Sequence, residues 1–204
     1  YVFFLARFMR FVVMPKIILA SASPRRQKLM SDAGYHFEVL ASDAEEISEK
    51  FMVPAELTVQ NAIIKATLVA KSNEESIVIG ADTVVSLDNE IFGKPYDLKE
   101  AVKMLARLAG RTHIVTTGVF IIQNTKKESF HVNTEVTFKP LSKEEISKYV
   151  KIINPLDKAG SYAAQDHGEL IIEKYSGSFS NVVGLPMDEL KKVLGDCFQT
   201  YPIN

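Results

Sequence analysis

The sequence predicts a single α/β unit, and three observations predict it. Short apolar runs alternate with longer segments that carry helix signals. The connections between them are short, and no repeat, low-complexity tract or linker divides the chain. With 204 residues, 47% of them hydrophobic and 24% charged, the chain can bury a sizeable core. Lys plus Arg (24) nearly balance Asp plus Glu (25). Any basic site must therefore be local, and no global field draws the protein to nucleic acid or to an anionic membrane. The single cysteine, Cys197, allows no internal disulfide, fits a reducing cytosol and reads as inert packing or surface placement.

The first element needs a boundary. "YVFFLARFMRFVVMPKIILA" resembles a signal peptide ending at Ala20-Ser21-Ala22, but Arg7 and Arg10 break its apolar run into pieces too short for a membrane span. Cleavage there would also remove the first strand. Residues 1–13 are expected to be an extension outside the core, with a peripheral amphipathic anchor as the other reading, and residues 14–204 a single domain.

The remaining elements follow from local signals. Lys16 to Ala20 reads as a buried strand; Ser23 then stands at an N-cap with Pro24 at the first helical position, and Gly34 closes that helix. "FEVLA" reads as a strand. Pro54 starts a second helix reaching about Lys71, with Leu57, Ala62, Ile64 and Leu68 on its apolar side. "SIVIGAD" has the form of an interior strand ending in a charged turn, and "TVVSLDNEIFG" that of a hairpin turning at Asp88-Asn89. Asp97 and Glu100 make a capping box for "LKEAVKMLARLA", and Ser142 with Glu145 another. Between them lie the strands "THIVTTGVFIIQ" and "SFHVNTEVTFKP". Pro186 opens a last helix, "PMDELKKVLG".

Chemistry enters at "ILASASPRR". A strand followed at once by a capped helix leaves free backbone N–H groups at the helix N-terminus beside the hydroxyls of Ser21 and Ser23, an arrangement that binds anions. Arg25 and Arg26 oppose the helix macrodipole there, which is costly unless an anion sits among them, and their planar forks suit phosphate oxygens. Asp82, in "VIGADT", is placed at the end of a buried strand, where a carboxylate can hold a magnesium ion or orient a water. Taken singly, Asp82 reads as a turn former, and Lys65 and Lys94 read as solvated lysines. The acidic cluster Asp43, Glu45, Glu46 and Glu49 reads as a solvated loop. His36, His113, His131 and His167 lack metal-ligand spacing and read as structural or exposed.

Nine segments in order, "LASASPRR", "AEE", "IIKA", "VIGADTVV", "FGKP", "LAGRTHIVTTGV", "EVTF", "DKAGSYAAQ" and "NVVGLP", make the chain resemble the Maf family of nucleoside triphosphate pyrophosphatases over residues 16 to 195. The resemblance implies an elongated mixed β-sheet flanked by helices, with a nucleotide cleft between two lobes, in a cytoplasmic homodimer. It implies cleavage of the α–β phosphoanhydride with release of pyrophosphate, a house-cleaning of the nucleotide pool. Ser21, Ser23, Arg25 and Arg26 fall on the phosphate-binding segment, and Lys65 and Lys94 on the lysines near the triphosphate. Asp82 falls on the general base and Glu46 on an acidic position that assists a divalent metal, Mg²⁺ or alternatively Mn²⁺. Thr83 and Gln165, with Arg25, fall on positions linked to base choice. "DKAGSYAAQ" is similar to the subgroup that hydrolyses dTTP and UTP, not to the one acting on 7-methyl-GTP.

Two departures stand beside this. Asp166 occupies a position where a small glycine is usual, and Ala163-Ala164 replaces a common Gly-Ile pair. Asp166 could accept from the exocyclic amine of cytosine and admit CTP. A nucleotide-binding regulator of cell division without turnover is the second reading, and Asp82 argues against it, because a pure binder gains nothing from a carboxylate facing phosphates. A nucleic-acid-binding module is the third, and the balanced charge supplies no phosphate-tracking surface for it.

Overall fold

Parallel pairing sets up one half of the sheet and antiparallel pairing the other, in a computed structural model that describes residues 15–49 and 52–202. The expected extension over residues 1–13 lies outside the described residues. The strands are β1 (Ile17–Leu19), β2 (Phe37–Val39), β3 (Ile77–Leu87), β4 (Glu90–Phe92), β5 (Thr112–Gln123), β6 (Lys126–Phe138) and β7 (Ile172–Ser176). The helices are α1 (Pro24–Asp32), α2 (Pro54–Ala70), α3 (Leu98–Leu108), α4 (Lys143–Ile152), α5 (Phe179–Val183) and α6 (Met187–Phe198). Among the described residues the sheet order is β2-β1-β3-β5-β6-β7, with β4 on β3. This is an α/β unit, as the sequence predicts, with the mixed, helix-flanked sheet that the resemblance implies.

Alternation along β3 and β5 sorts the layers. Ile77, Ile79, Ala81, Val119 and Ile121 face α1 and α6 in a core that includes Met30, Leu190 and Leu194. Farther along the same face, Val85, Leu87 and Val115 meet Leu105 and Leu108 of α3 and Ile146 and Tyr149 of α4. One face of the sheet thus carries two separate hydrophobic cores. The opposite face, through Val78, Phe120 and Ile122, carries Ala62, Ala66 and Ala70 of α2.

Local signals account for several boundaries. Asp88 and Asn89 both take positive φ (52° and 63°), as a two-residue hairpin turn requires. The Asp97 carboxylate accepts from Glu100 N at 2.7 Å, while Glu100 reaches back to Tyr96 N. Ser142 and Glu145 form the full capping box.

Two expectations are corrected and a third is qualified. "SIVIGAD" does not end in a turn, because β3 runs unbroken through Asp82 to Leu87. Leu68 is exposed and Ile64 half-buried, so the inner face of α2 is instead Leu57, Thr58, Asn61, Ala62, Lys65 and Ala66. The cause is close packing: a Cβ on Gly80 would stand 2.3 Å from Ala62 O, and one on Gly118 2.4 Å from the Thr58–Val59 backbone. At these two points of closest approach the helix presents Thr58, Ala62 and Ala66, and Leu68 is turned out. Ser23 stands at the N-cap of α1 but makes no side-chain capping bond. β7 and α5 are elements that the local pattern does not announce.

Candidate active site

The cleft opens at a gap in the sheet. One edge of β3 pairs with β1 at Ile77–Ile79 and with β4 at Val85–Leu87, while β5 covers the other edge. Among the described residues, 80–84 therefore have no strand partner on the first edge, and side chains from both faces reach one cavity of about 350 Å³. All ten site residues named from the sequence line it: Ser21, Ser23, Arg25, Arg26, Glu46, Lys65, Asp82, Thr83, Lys94 and Gln165. Asp82 thus meets the ligand space from mid-strand, because its neighbour β1 ends early.

Asp82 is held from α2. Lys65 Nζ lies 2.8 Å from Asp82 Oδ1 and 3.1 Å from Glu46 Oε2, so one buried ammonium bridges two carboxylates. Asn61 Nδ2 donates to Asp82 Oδ2 at 3.1 Å and also to Ile47 O, while Asn61 Oδ1 accepts from Ile47 N at 2.8 Å. One buried asparagine therefore fixes both the carboxylate and the loop that carries Glu46. Gly118 stands opposite Asp82 in the β3–β5 register, and its missing side chain is what lets α2 approach.

The opening motif splits into two roles. Arg26 donates from Nε to Gly184 O (2.8 Å), from Nη1 to Ser21 Oγ (3.1 Å) and Ala81 O (2.9 Å), and from Nη2 to Thr83 Oγ1 (3.0 Å). Four of its five N–H donors are committed to the protein, across the gap in the sheet. Burial pushes this guanidinium below its usual value, and the charges of Asp82 and Glu46 oppose that shift. Arg25 instead crosses the cleft mouth to Asp157, donating to Oδ2 at 3.1 Å and to the carbonyl at 3.3 Å. Burial would raise the Asp157 carboxyl, but bonding to Lys158 and Arg25 outweighs it and holds the group below the ordinary range.

Several groups remain uncommitted. The Ser23 hydroxyl makes no capping bond, which leaves the first-turn N–H groups of α1 open toward the cavity. Lys94 and Gln165 are exposed and have no polar partner among the described residues. The turn that carries Lys94 is tied down through Gly93 O, which accepts from Gly160 N at 3.1 Å. Five cations line the cavity (Arg25, Arg26, Lys65, Lys94, Lys158) against three carboxylates (Glu46, Asp82, Asp157), so a nearly neutral chain carries a locally positive cleft. Asn61, Asp157, Lys158 and Tyr162 are site residues that sequence reasoning missed. Asp157, Lys158 and Tyr162 all sit inside the quoted "DKAGSYAAQ", so that segment carries the signal that could have found them.

Among the described residues no cluster of three or more His, Cys, Asp or Glu side chains is grouped to hold a metal. Glu46 and Asp82 alone converge, through Lys65. Two carboxylates fit a divalent cation that takes its other ligands from substrate phosphates and water.

The Maf-like protein family model matches residues 16–197, nearly all of the described chain. The chain belongs to this family. It is 46% identical over 181 residues to a dTTP/UTP pyrophosphatase of Bacillus cytotoxicus, covering 89% of this chain and 95% of that one. It is 44% identical over 182 residues to a dTTP/UTP pyrophosphatase of Akkermansia muciniphila, covering 89% and 96%. A HAM1 protein of Coxiella burnetii of solved structure matches with a TM-score of 0.46 at 18% identity, over 61% of this chain and 73% of that one. The span of the family model includes the cavity residues from Ser21 to Gly184. No helix among the described residues is long and apolar enough to cross a membrane.

Proposed function

We propose that this Maf-like protein hydrolyses UTP and dTTP between the α- and β-phosphates, giving the monophosphate and pyrophosphate. The observation that carries the reading is the meeting of Asp82, Lys65 and Glu46 with an open helix N-terminus and the exposed Lys94 in one positive cavity. The relatives named dTTP/UTP pyrophosphatase support the choice of substrate.

In this reading the triphosphate lies along the first turn of α1, where backbone N–H groups, the Ser23 hydroxyl and the remaining Arg26 N–H meet its oxygens. Lys94 neutralises charge on the leaving pyrophosphate. Asp82, held at both oxygens by Lys65 and Asn61, orients the attacking water and takes its proton. Glu46 and Asp82 would hold a divalent cation together with the phosphates, and that cation would supply charge neutralisation at the reacting phosphorus. Gln165 offers a donor and an acceptor to the N3–H and a carbonyl of uracil or thymine, a pairing that purines match poorly.

A turnover panel of canonical and modified nucleoside triphosphates with Mg²⁺, read by pyrophosphate release, tests this. We expect kcat/KM for UTP and dTTP to exceed that for ATP and GTP by at least about tenfold. We expect Asp82→Asn to lower kcat by about 10²-fold or more while nucleotide binding survives. A best rate with 7-methyl-GTP would overturn the substrate assignment, and binding without pyrophosphate release from any nucleotide would overturn the hydrolase.

A further inference from the structure

Gln165 is a base reader without visible support. It is exposed, and among the described residues neither Ala164 nor Gln165 makes a hydrogen bond. The segment is anchored one step earlier. The hydroxyl of Tyr149, on α4, donates to Ala163 O and accepts from Ala163 N, both at 3.1 Å. Tyr149 is 2% exposed and Ala163 3%, so both bonds are dry. Burial pushes the Tyr149 hydroxyl up to about 12, so at neutral pH it keeps the proton it donates while its lone pairs accept. The neighbouring Tyr162 is held as well, by His113 Nε2 at 3.0 Å and by edge contacts with the rings of His113 and Phe138. The next backbone bond after Ala163 is Leu170 N to His167 O. Residues 164–166 thus span between two anchors, with Ala163 the one nearer the cleft.

We propose that Tyr149 is a positioning residue for base selection: its hydroxyl fixes the Ala163 backbone, and thereby where the Gln165 amide stands in the cleft. The inference rests on the reading of Gln165 as the group that meets the base. Tyr149 does not line the cavity, and Asp82, Lys65 and Glu46 are held by separate bonds, so the hydrolytic step is independent of it. Without the hydroxyl, two buried backbone groups lose their partner and the segment must shift to find others. A pairing contact that depends on position within a few tenths of an ångström is then lost for uracil and thymine, while a purine that never made it is little affected.

The test is steady-state kinetics of Tyr149→Phe with UTP, dTTP and ATP. We expect kcat/KM for UTP and dTTP to fall about tenfold and that for ATP less than about twofold, collapsing the ratio between them. A merely structural loss would lower every substrate alike through the folded fraction and leave the ratio unchanged. Repeating the assay with a stabilising osmolyte recovers folded protein without restoring the hydroxyl, and the ratio should stay collapsed. The double variant Tyr149→Phe/Gln165→Ala should be no less selective than Gln165→Ala alone, because one residue acts through the other. A ratio unchanged in Tyr149→Phe, with Gln165→Ala collapsing it, overturns this inference and leaves the function standing. A ratio unchanged in Gln165→Ala overturns the base-reading assignment itself.

Discussion

Arg26 shows how a residue can be found from sequence while its role is not. Adjacent arginines at a helix start point to an anion, and the cavity receives both. Yet Arg26 gives four donors to Gly184, Ser21, Ala81 and Thr83, and Arg25 spends its contacts on Asp157. Those partners lie up to 158 positions away, and no local pattern encodes them. The same holds for Asn61, which is one polar residue on a helix until Asp82 and Ile47 are placed against it. Arg26→Ala is therefore expected to cost folding stability, about 3 kcal/mol, the order of losing charge-assisted bonds that leave buried acceptors unpaired. Urea unfolding of the variant measures it; a midpoint equal to that of the parent, with only KM raised, would return Arg26 to a pure phosphate ligand.

At the scale of elements, the legible parts were those that announce themselves within a few residues. The Asp88-Asn89 turn and the Ser142–Glu145 box are complete local devices. β7 was not legible, because "IEKYS" is largely solvated and gains its strand character from β6, across a register shift at Thr137–Phe138. The facing of α2 was misread for a tertiary reason: Gly80 and Gly118 bring the helix so near that Ala62 and Ala66 must lie inward. This packing also sets the reach of Asn61 and Lys65 to Asp82. Gly118→Ala would place a methyl 2.4 Å from the α2 backbone, so the helix must move. We expect a loss of about 1–3 kcal/mol in stability together with at least about a tenfold fall in kcat, since misplacing Lys65 and Asn61 disturbs the carboxylate they hold. Melting temperature and kcat measured on the same preparation check the two together.

For the molecule as a whole, one buried imidazole sets a lower pH limit. His113 is 1% exposed beneath Tyr162, and burial pushes it from 6.5 down to about 4. The unfolded chain takes up this proton below pH 6.5 and the folded one only near pH 4, so stability is complete above 6.5 and drains away as pH falls through that window. From this group alone, unfolding at pH 5 should be easier than at pH 7.5 by about 2 kcal/mol. His113→Gln should lack this component, and a pH dependence identical in the two proteins would refute it. The bond from Arg26 to Gly184 has a different consequence at this scale. Its two ends are separated by 158 residues. During synthesis at about 5–20 residues per second, α1 waits roughly 10–30 s for its carbonyl partner to be made. A ribosome-bound chain that ends before α5 can form the β1–β3 pairing but not a closed cleft, so competence toward nucleotide arrives late in translation, after most of the sheet is already in place.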